Sequence, residues 1–133
     1  MEKSLQHKRD IILFIDDEKI CHTLIELIIP NLTNYRVVNA YNGREAVDLA
    51  KRYANNICLV LADIMLPDIN GYEVFDQIRA NNKLSAVPFI FQSGLDSQTE
   101  ILKQNMQEKV QIIYKPYKQD DLLDAIAKAL KED

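Results

Sequence analysis

Glycine, proline and cysteine are all scarce in this 133-residue chain, which has three Gly, four Pro and two Cys. So little glycine and proline excludes a collagenous or linker-like chain, and two cysteines cannot build a disulfide framework. Cys21 and Cys58 sit instead in apolar segments, as expected of a protein kept in a reducing cytoplasm. Positive charge is not in excess either. Sixteen Lys and Arg against twenty Asp and Glu leave a formal charge of −4. A phosphate-backbone binder needs a basic stripe, so no direct nucleic-acid contact is expected. No apolar run approaches the ~20 residues of a membrane span, and residues 57–61 are among the longest. The leader MEKSLQHKRD lacks the apolar centre of a signal peptide, so no direct membrane attachment is expected. What the chain does have is 47% apolar and 27% charged residues. That is enough for one buried core in a solvated skin, at a length that suits one domain.

The apolar pattern alternates between two kinds of segment. Short, continuous apolar runs occur at residues 11–15, 35–40, 57–62, 88–91 and 110–114, as expected of strands covered on both faces in a parallel sheet. Stretches with helical spacing lie between and after them. The first carries Ile20, Leu24, Leu27 and Ile28 as its core stripe, and Pro30 is expected to end it. The second carries Ala46, Val47, Ala50 and Tyr53 after Asn42-Gly43, and the third Val74, Phe75 and Ile78 after Asn70-Gly71. A weaker fourth has Ile101, Leu102 and Met106 after the cap candidate Ser97, and the last has Leu122, Leu123, Ile126 and Leu130. Strand then helix, five times over, predicts an α/β fold with a doubly wound parallel sheet and five helices. A closed barrel of eight such units would need roughly 250 residues.

In open sheets of this class, function gathers outside the carboxyl ends of the strands. The first strand ends in Asp16-Asp17, the third in Asp63, the fourth in Ser93 and the fifth in Lys115. Each alone is an ordinary cap, turn or surface residue; together they bring three carboxylates, a hydroxyl and an ammonium to one rim. Carboxylates so crowded need a cation or a proton, and oxygen ligands that leave positions open for phosphate suit Mg²⁺ better than a Ca²⁺ cage. A carboxylate beside Mg²⁺, a lysine and a hydroxyl is equipped to take up a phosphoryl group as an acyl phosphate.

The segments ILFIDDE, LADIMLPDINGYEVF, FIFQSG and YKPY resemble the receiver domain of two-component response regulators, the CheY-like superfamily. The resemblance covers about residues 11–130, and the separations fit it: 46 residues from Asp17 to Asp63, 30 more to Ser93 and 22 more to Lys115. It implies a flavodoxin-like sheet of order 2-1-3-4-5, with a polar leader at 1–10 and a receiver domain at 11–131. It makes Asp63 the phosphoacceptor, taking a phosphoryl group from a phosphohistidine on a histidine kinase or histidine phosphotransfer protein. Mg²⁺ would be held by Asp16, Asp17, Asp63 and the backbone carbonyl of Met65, with Asp17 direct and Asp16 largely through water. Lys115 and Ser93 would each bind a phosphoryl oxygen, and Lys115-Pro116 would be cis. Pro67 and Gly71 would shape the loop after Asp63. The output, toward an unknown downstream effector, would be a shift of the face made by the fourth helix, fifth strand and fifth helix.

Two departures from the resemblance bear on mechanism. Ile112 stands where an aromatic switch residue is usual, and Tyr114 follows two residues later on the same side of its strand. The segment 105–109 also lacks the usual Gly-Ala. Met65 and Leu95, bulky and apolar, flank the path water would take to the phosphorus, so slow self-dephosphorylation is expected. On the first helix, Cys21 and Ile25 form a second apolar row, expected to be exposed and to dock the phosphodonor. His7 and His22 read as solvated surface residues, and Cys58 as a small buried hydrophobe. A Mg²⁺-dependent phosphohydrolase with an aspartyl-phosphate intermediate is the competing reading. Against it, Asp16 and Asp17 are adjacent rather than spaced as DxD, and there is no room for a cap domain. Chemistry confined to the protein itself means no enzyme in the ordinary sense. With no DNA-binding segment after Asp133, the expectation is a single-domain regulator or a receiver cut from a hybrid histidine kinase.

Overall fold

The five apolar runs become five parallel strands: β1 (Ile11–Ile15), β2 (Arg36–Ala40), β3 (Ile57–Asp63), β4 (Phe89–Ser93) and β5 (Gln111–Tyr114). The structure is a computed structural model and describes residues 8–94 and 110–131. The strands are ordered β2-β1-β3-β4-β5, as the resemblance implies, and every neighbouring pair is parallel, as the apolar pattern implies. β1 is buried at all five residues and β3 nearly so, whereas β2 and β5 at the edges are only half covered. This is why the central runs are continuously apolar and the edge runs admit Asn39 and Gln111.

Four α-helices are described: α1 (Lys19–Leu32), α2 (Gly43–Arg52), α3 (Gly71–Arg79) and α4 (Gln119–Ala129). The fourth stretch with helical spacing, with Ser97, Ile101, Leu102 and Met106, lies outside the described residues, as do His7, Leu95 and residues 105–109. Asn42 and Asn70 cap α2 and α3 by accepting the backbone N–H of Glu45 and Glu73 at 2.8 and 2.9 Å, the bond that makes Asn a good start signal. Among the described residues no helix is long and apolar enough to cross a membrane.

The helices divide the core into two layers. On one face α2 and α3 bury Ala46, Ala50, Val74, Phe75 and Ile78 against the odd-numbered residues of β1 and β4, among them Leu13 and Phe91. On the other, α1 and α4 bury Ile25, Ile29, Leu122 and Ile126 against Ile12, Phe14, Leu59, Leu61 and Ile90. Strand period two sorts the side chains onto these faces.

The first helix is rotated from the orientation its sequence suggests. Ile20, Leu24 and Leu27 are 62%, 51% and 61% exposed, while His22, Ile25 and Ile29 face the core. Ile25 is therefore no part of an exposed row, and His22 is not a surface residue. The cause is polar. His22 Nδ1 lies 2.6 Å from Asn39 Oδ1 and Nε2 lies 2.7 Å from the Asp16 carbonyl oxygen, and its ring packs edge-on against Phe14. Anchoring His22 inward turns Ile20 and Leu24 outward. Pro30 does not stop the helix, which continues to Leu32. Near the end, side chains add donors to the last turn: Asn31 Nδ2 donates to the Leu27 carbonyl, and Thr33 gives both its N–H and its Oγ1 hydroxyl to that of Ile29. Cys58 is half-buried, with its thiol 3.3 Å from the Ile11 carbonyl oxygen.

Gly71 opens α3 against the end of β3. A Cβ there would lie 2.5 Å from the Asp63 carbonyl oxygen and 3.0 Å from Ile64 Cα, both backbone atoms that yield only at a cost. Its own N–H donates to the Ile64 carbonyl at 2.7 Å. Gly71→Ala is expected to destabilise the fold by about 1–3 kcal/mol, read as a lower urea midpoint at constant slope.

Candidate functional site

Register brings the chemistry to one row. Ile15 pairs with Ala62, so the next residues, Asp16 and Asp63, leave β1 and β3 side by side. Asp63 in turn pairs with Gln92 on β4, and Gln92 with Ile113 on β5. By strand alternation Asp16, Asp63, Gln92 and Lys115 continue the face that α1 and α4 cover, and Ser93 belongs to the other. Ser93 is nonetheless buried at the rim, and its carbonyl accepts the Lys115 N–H at 2.8 Å. The Lys115-Pro116 bond is cis, as the resemblance implied.

Lys115 Nζ bridges two of the carboxylates, 3.0 Å from Asp16 Oδ2 and 3.2 Å from Asp63 Oδ2. Asp16 is fully buried, and its Oδ1 accepts the Glu18 N–H at 2.9 Å. Asp17 is exposed at the mouth. Carboxylate oxygens of Asp16, Asp17 and Asp63 all lie within 4.8 Å of one another. One ammonium cannot balance three such charges. Burial, with repulsion from Asp16 and Asp17, raises Asp63 from 3.8 to about 6 despite the opposing pull of Lys115. Burial works against the Lys115 charge as well, but its bonds to Asp16 and Asp63 carry it above the ordinary lysine value. The surplus negative charge on hard oxygen donors fits a small divalent cation. Met65 follows in the loop after β3 with its side chain 54% exposed.

The same donor set contains residues that sequence reasoning passed over. Gln92 is fully buried, with Nε2 2.6 Å from Asp16 Oδ2. Its Oε1 accepts the Tyr117 hydroxyl at 2.8 Å, and burial pushes that phenol up to about 12. A signal existed: a glutamine inside the apolar run FIFQS must find partners, because a buried amide without them is costly. His22 was also missed. Through the Asp16 carbonyl it ties the acidic turn to Asn39, whose Nδ2 donates to Glu26 Oε1 at 2.7 Å. Beside the site, α1 and the Lys115–Tyr117 segment enclose an apolar groove of about 380 Å³ lined by Cys21, Leu24, Ile28, Pro116 and Tyr117. Burial and the Asp16 charge raise the Cys21 thiol to about 11.

Comparison with known proteins points one way. A family model described as the response regulator receiver domain matches residues 12–127. The probable transcriptional regulator ycf29 of Pyropia yezoensis is 32% identical over 99 residues, which is 74% of this chain but 44% of that protein. The chain thus spans less than half the length of that relative. The receiver domain of the Pseudomonas aeruginosa PAO1 sensor histidine kinase PA1611, solved with a magnesium ion coordinated in its active-site cleft, is 28% identical. Its TM-score is 0.79, covering 93% of this chain and 99% of that one. Vibrio cholerae CheY4, at 18% identity, has the same fold, with a TM-score of 0.81 and coverage of 92% and 99%.

The raised Asp63 value has a measurable consequence in cation-free protein. Between pH 4 and 6 the folded chain keeps a proton that the unfolded chain releases, so stability falls as pH rises through that window. Asp63→Asn removes the penalty. Its melting temperature is expected to exceed that of the wild type at pH 7, and the difference to vanish near pH 4, in a thermal melt with chelator present.

Proposed function

The chain belongs to the response regulator receiver domains of two-component signalling systems, and from that premise we propose that Asp63 is its phosphoacceptor in a Mg²⁺-dependent reaction. The observation that carries the reading is the placement of the Asp63 carboxylate. It stands 3.2 Å from Lys115 Nζ and within a cluster of two further carboxylates at the carboxyl rim of the sheet. Receivers of this family take part in exchange with histidine kinases or histidine phosphotransfer proteins, and such a phosphohistidine is the donor proposed here. An Asp63 oxygen forms the new bond to phosphorus as the P–N bond breaks, and the departing imidazole nitrogen takes its proton from solvent.

The other rim groups receive the transferred charge. Lys115 turns from the Asp63 carboxylate to a phosphoryl oxygen, and Ser93 donates its hydroxyl to another. Asp16, Asp17 and Asp63, with the Met65 carbonyl, are the groups that would hold the cation. When bound, Mg²⁺ supplies positive charge at the phosphoryl oxygens. The chemistry is confined to this chain's own aspartate, in a receiver proposed to span residues 11–131 and to act in the cytoplasm. The proposed output surface includes β5 and α4, where Tyr114 is 43% exposed, and its effector is unassigned. The geometry moves the proposed donor-docking surface along α1 to Ile20, Leu24 and Leu27 with Cys21 at its margin, because Ile25 is 2% exposed.

Incubation with acetyl phosphate and Mg²⁺ is expected to add the mass of one phosphate, which is lost in Asp63→Ala. Continuous release of many phosphates per chain would instead establish the phosphohydrolase. Leu24→Asp is expected to slow transfer from a phosphorylated histidine phosphotransfer protein by about tenfold or more. It should leave labelling by acetyl phosphate intact, because Leu24 is neither one of the clustered carboxylates nor bonded to Lys115.

A further inference from the structure

Gln92 has no task in the phosphoryl transfer described above, yet it is bonded to one of its carboxylates. It lies at the end of β4 beside Asp63 in register and is fully buried, as is Asp16. Its orientation follows from its neighbour. The Asp16 carboxylate only accepts, so Nε2 faces it and donates to Oδ2 at 2.6 Å, and Oε1 is left to accept the Tyr117 hydroxyl at 2.8 Å, which holds the amide in place. Lys115 Nζ donates to the same oxygen at 3.0 Å, and the Glu18 N–H holds Oδ1. Two donors converging on Oδ2 from β4 and from the end of β5 fix the rotation of the Asp16 carboxylate about its last bond. A ligand already held in its binding orientation loses less freedom when a cation arrives.

We propose that Gln92 and Tyr117 are positioning residues for the divalent-cation site: Tyr117 sets the Gln92 amide, and the amide sets the Asp16 carboxylate. The proposal rests on the reading of Asp16, Asp17 and Asp63 as cation ligands. It places part of the cation affinity in residues that touch neither the cation nor the phosphoryl group. Partners that orient a ligating carboxylate typically control metal affinity by about 10–100-fold. Gln92→Leu removes the donor at similar volume, and Tyr117→Phe removes only the hydroxyl that orients it.

The test is calorimetric titration of Mg²⁺ into the wild type, Gln92→Leu, Tyr117→Phe and the double variant, with melting temperatures measured in parallel without cation. The expected result is a Kd raised about tenfold in Gln92→Leu, a smaller rise in Tyr117→Phe, and a double variant no weaker than Gln92→Leu alone, since the two act in series. Lowered melting temperatures with an unchanged or tighter Mg²⁺ Kd would overturn the proposal and leave the pair a structural plug. If Gln92→Leu fails to fold, Tyr117→Phe decides alone. A wild-type chain that binds no Mg²⁺ overturns the underlying assignment of the ligands rather than the relay.

Discussion

The bridge from Lys115 to Asp16 and Asp63 is the interaction on which the rim depends. It joins the ends of three strands, β1, β3 and β5, across the intervening β4. Three carboxylates whose oxygens lie within 4.8 Å of one another repel in a site where burial weakens screening. The ammonium offsets part of that repulsion and leaves the remainder. That remainder is the site's working property. It leaves the pocket short of positive charge, which is the condition under which a small divalent cation is held by oxygen ligands.

The parallel sheet makes this crowding possible without disturbing the core. Asp16, Asp63, Gln92 and Lys115 continue the same face as Phe14, Leu61, Ile90 and Ile113, one or two steps beyond the last apolar layer. The fold's stability lies in rows below them, so the rim can carry unfavourable charge at little cost to packing. Ser93, of opposite parity, follows Phe91 and the α2/α3 layer. The rim is thus where groups from both layers meet, so a charge added at the proposed phosphoacceptor would be felt by both.

The first helix shows what a single buried polar residue can do to an apolar pattern. By apolar count, a stripe of Ile20, Leu24, Leu27 and Ile28 should win the core. His22 overrides it by bonding the Asp16 carbonyl and Asn39 from inside the fold. Leaving such groups unpaired in the interior costs about as much as burying an aliphatic side chain returns, and one rotation satisfies His22 and still buries Ile25 and Ile29. The apolar residues turned outward then lie exposed next to the groove beside Lys115, where the donor is proposed to dock.

Residue order alone determined the strand–helix alternation, the rim carboxylates and the lysine. These rest on local patterns: continuous apolar runs for covered strands, Asn-Gly starts for two of the helices, and charged residues placed one step past three of the five runs. Tertiary structure alone decided which face of α1 is buried, because His22 finds its partners just past β1 and on β2, outside its own helix. It decided likewise that Gln92 and Tyr117, 25 residues apart, hold the Asp16 carboxylate. Hydrogen-bond partners brought together by the sheet's register leave no periodic trace along the chain, and a pattern of hydrophobicity is blind to them.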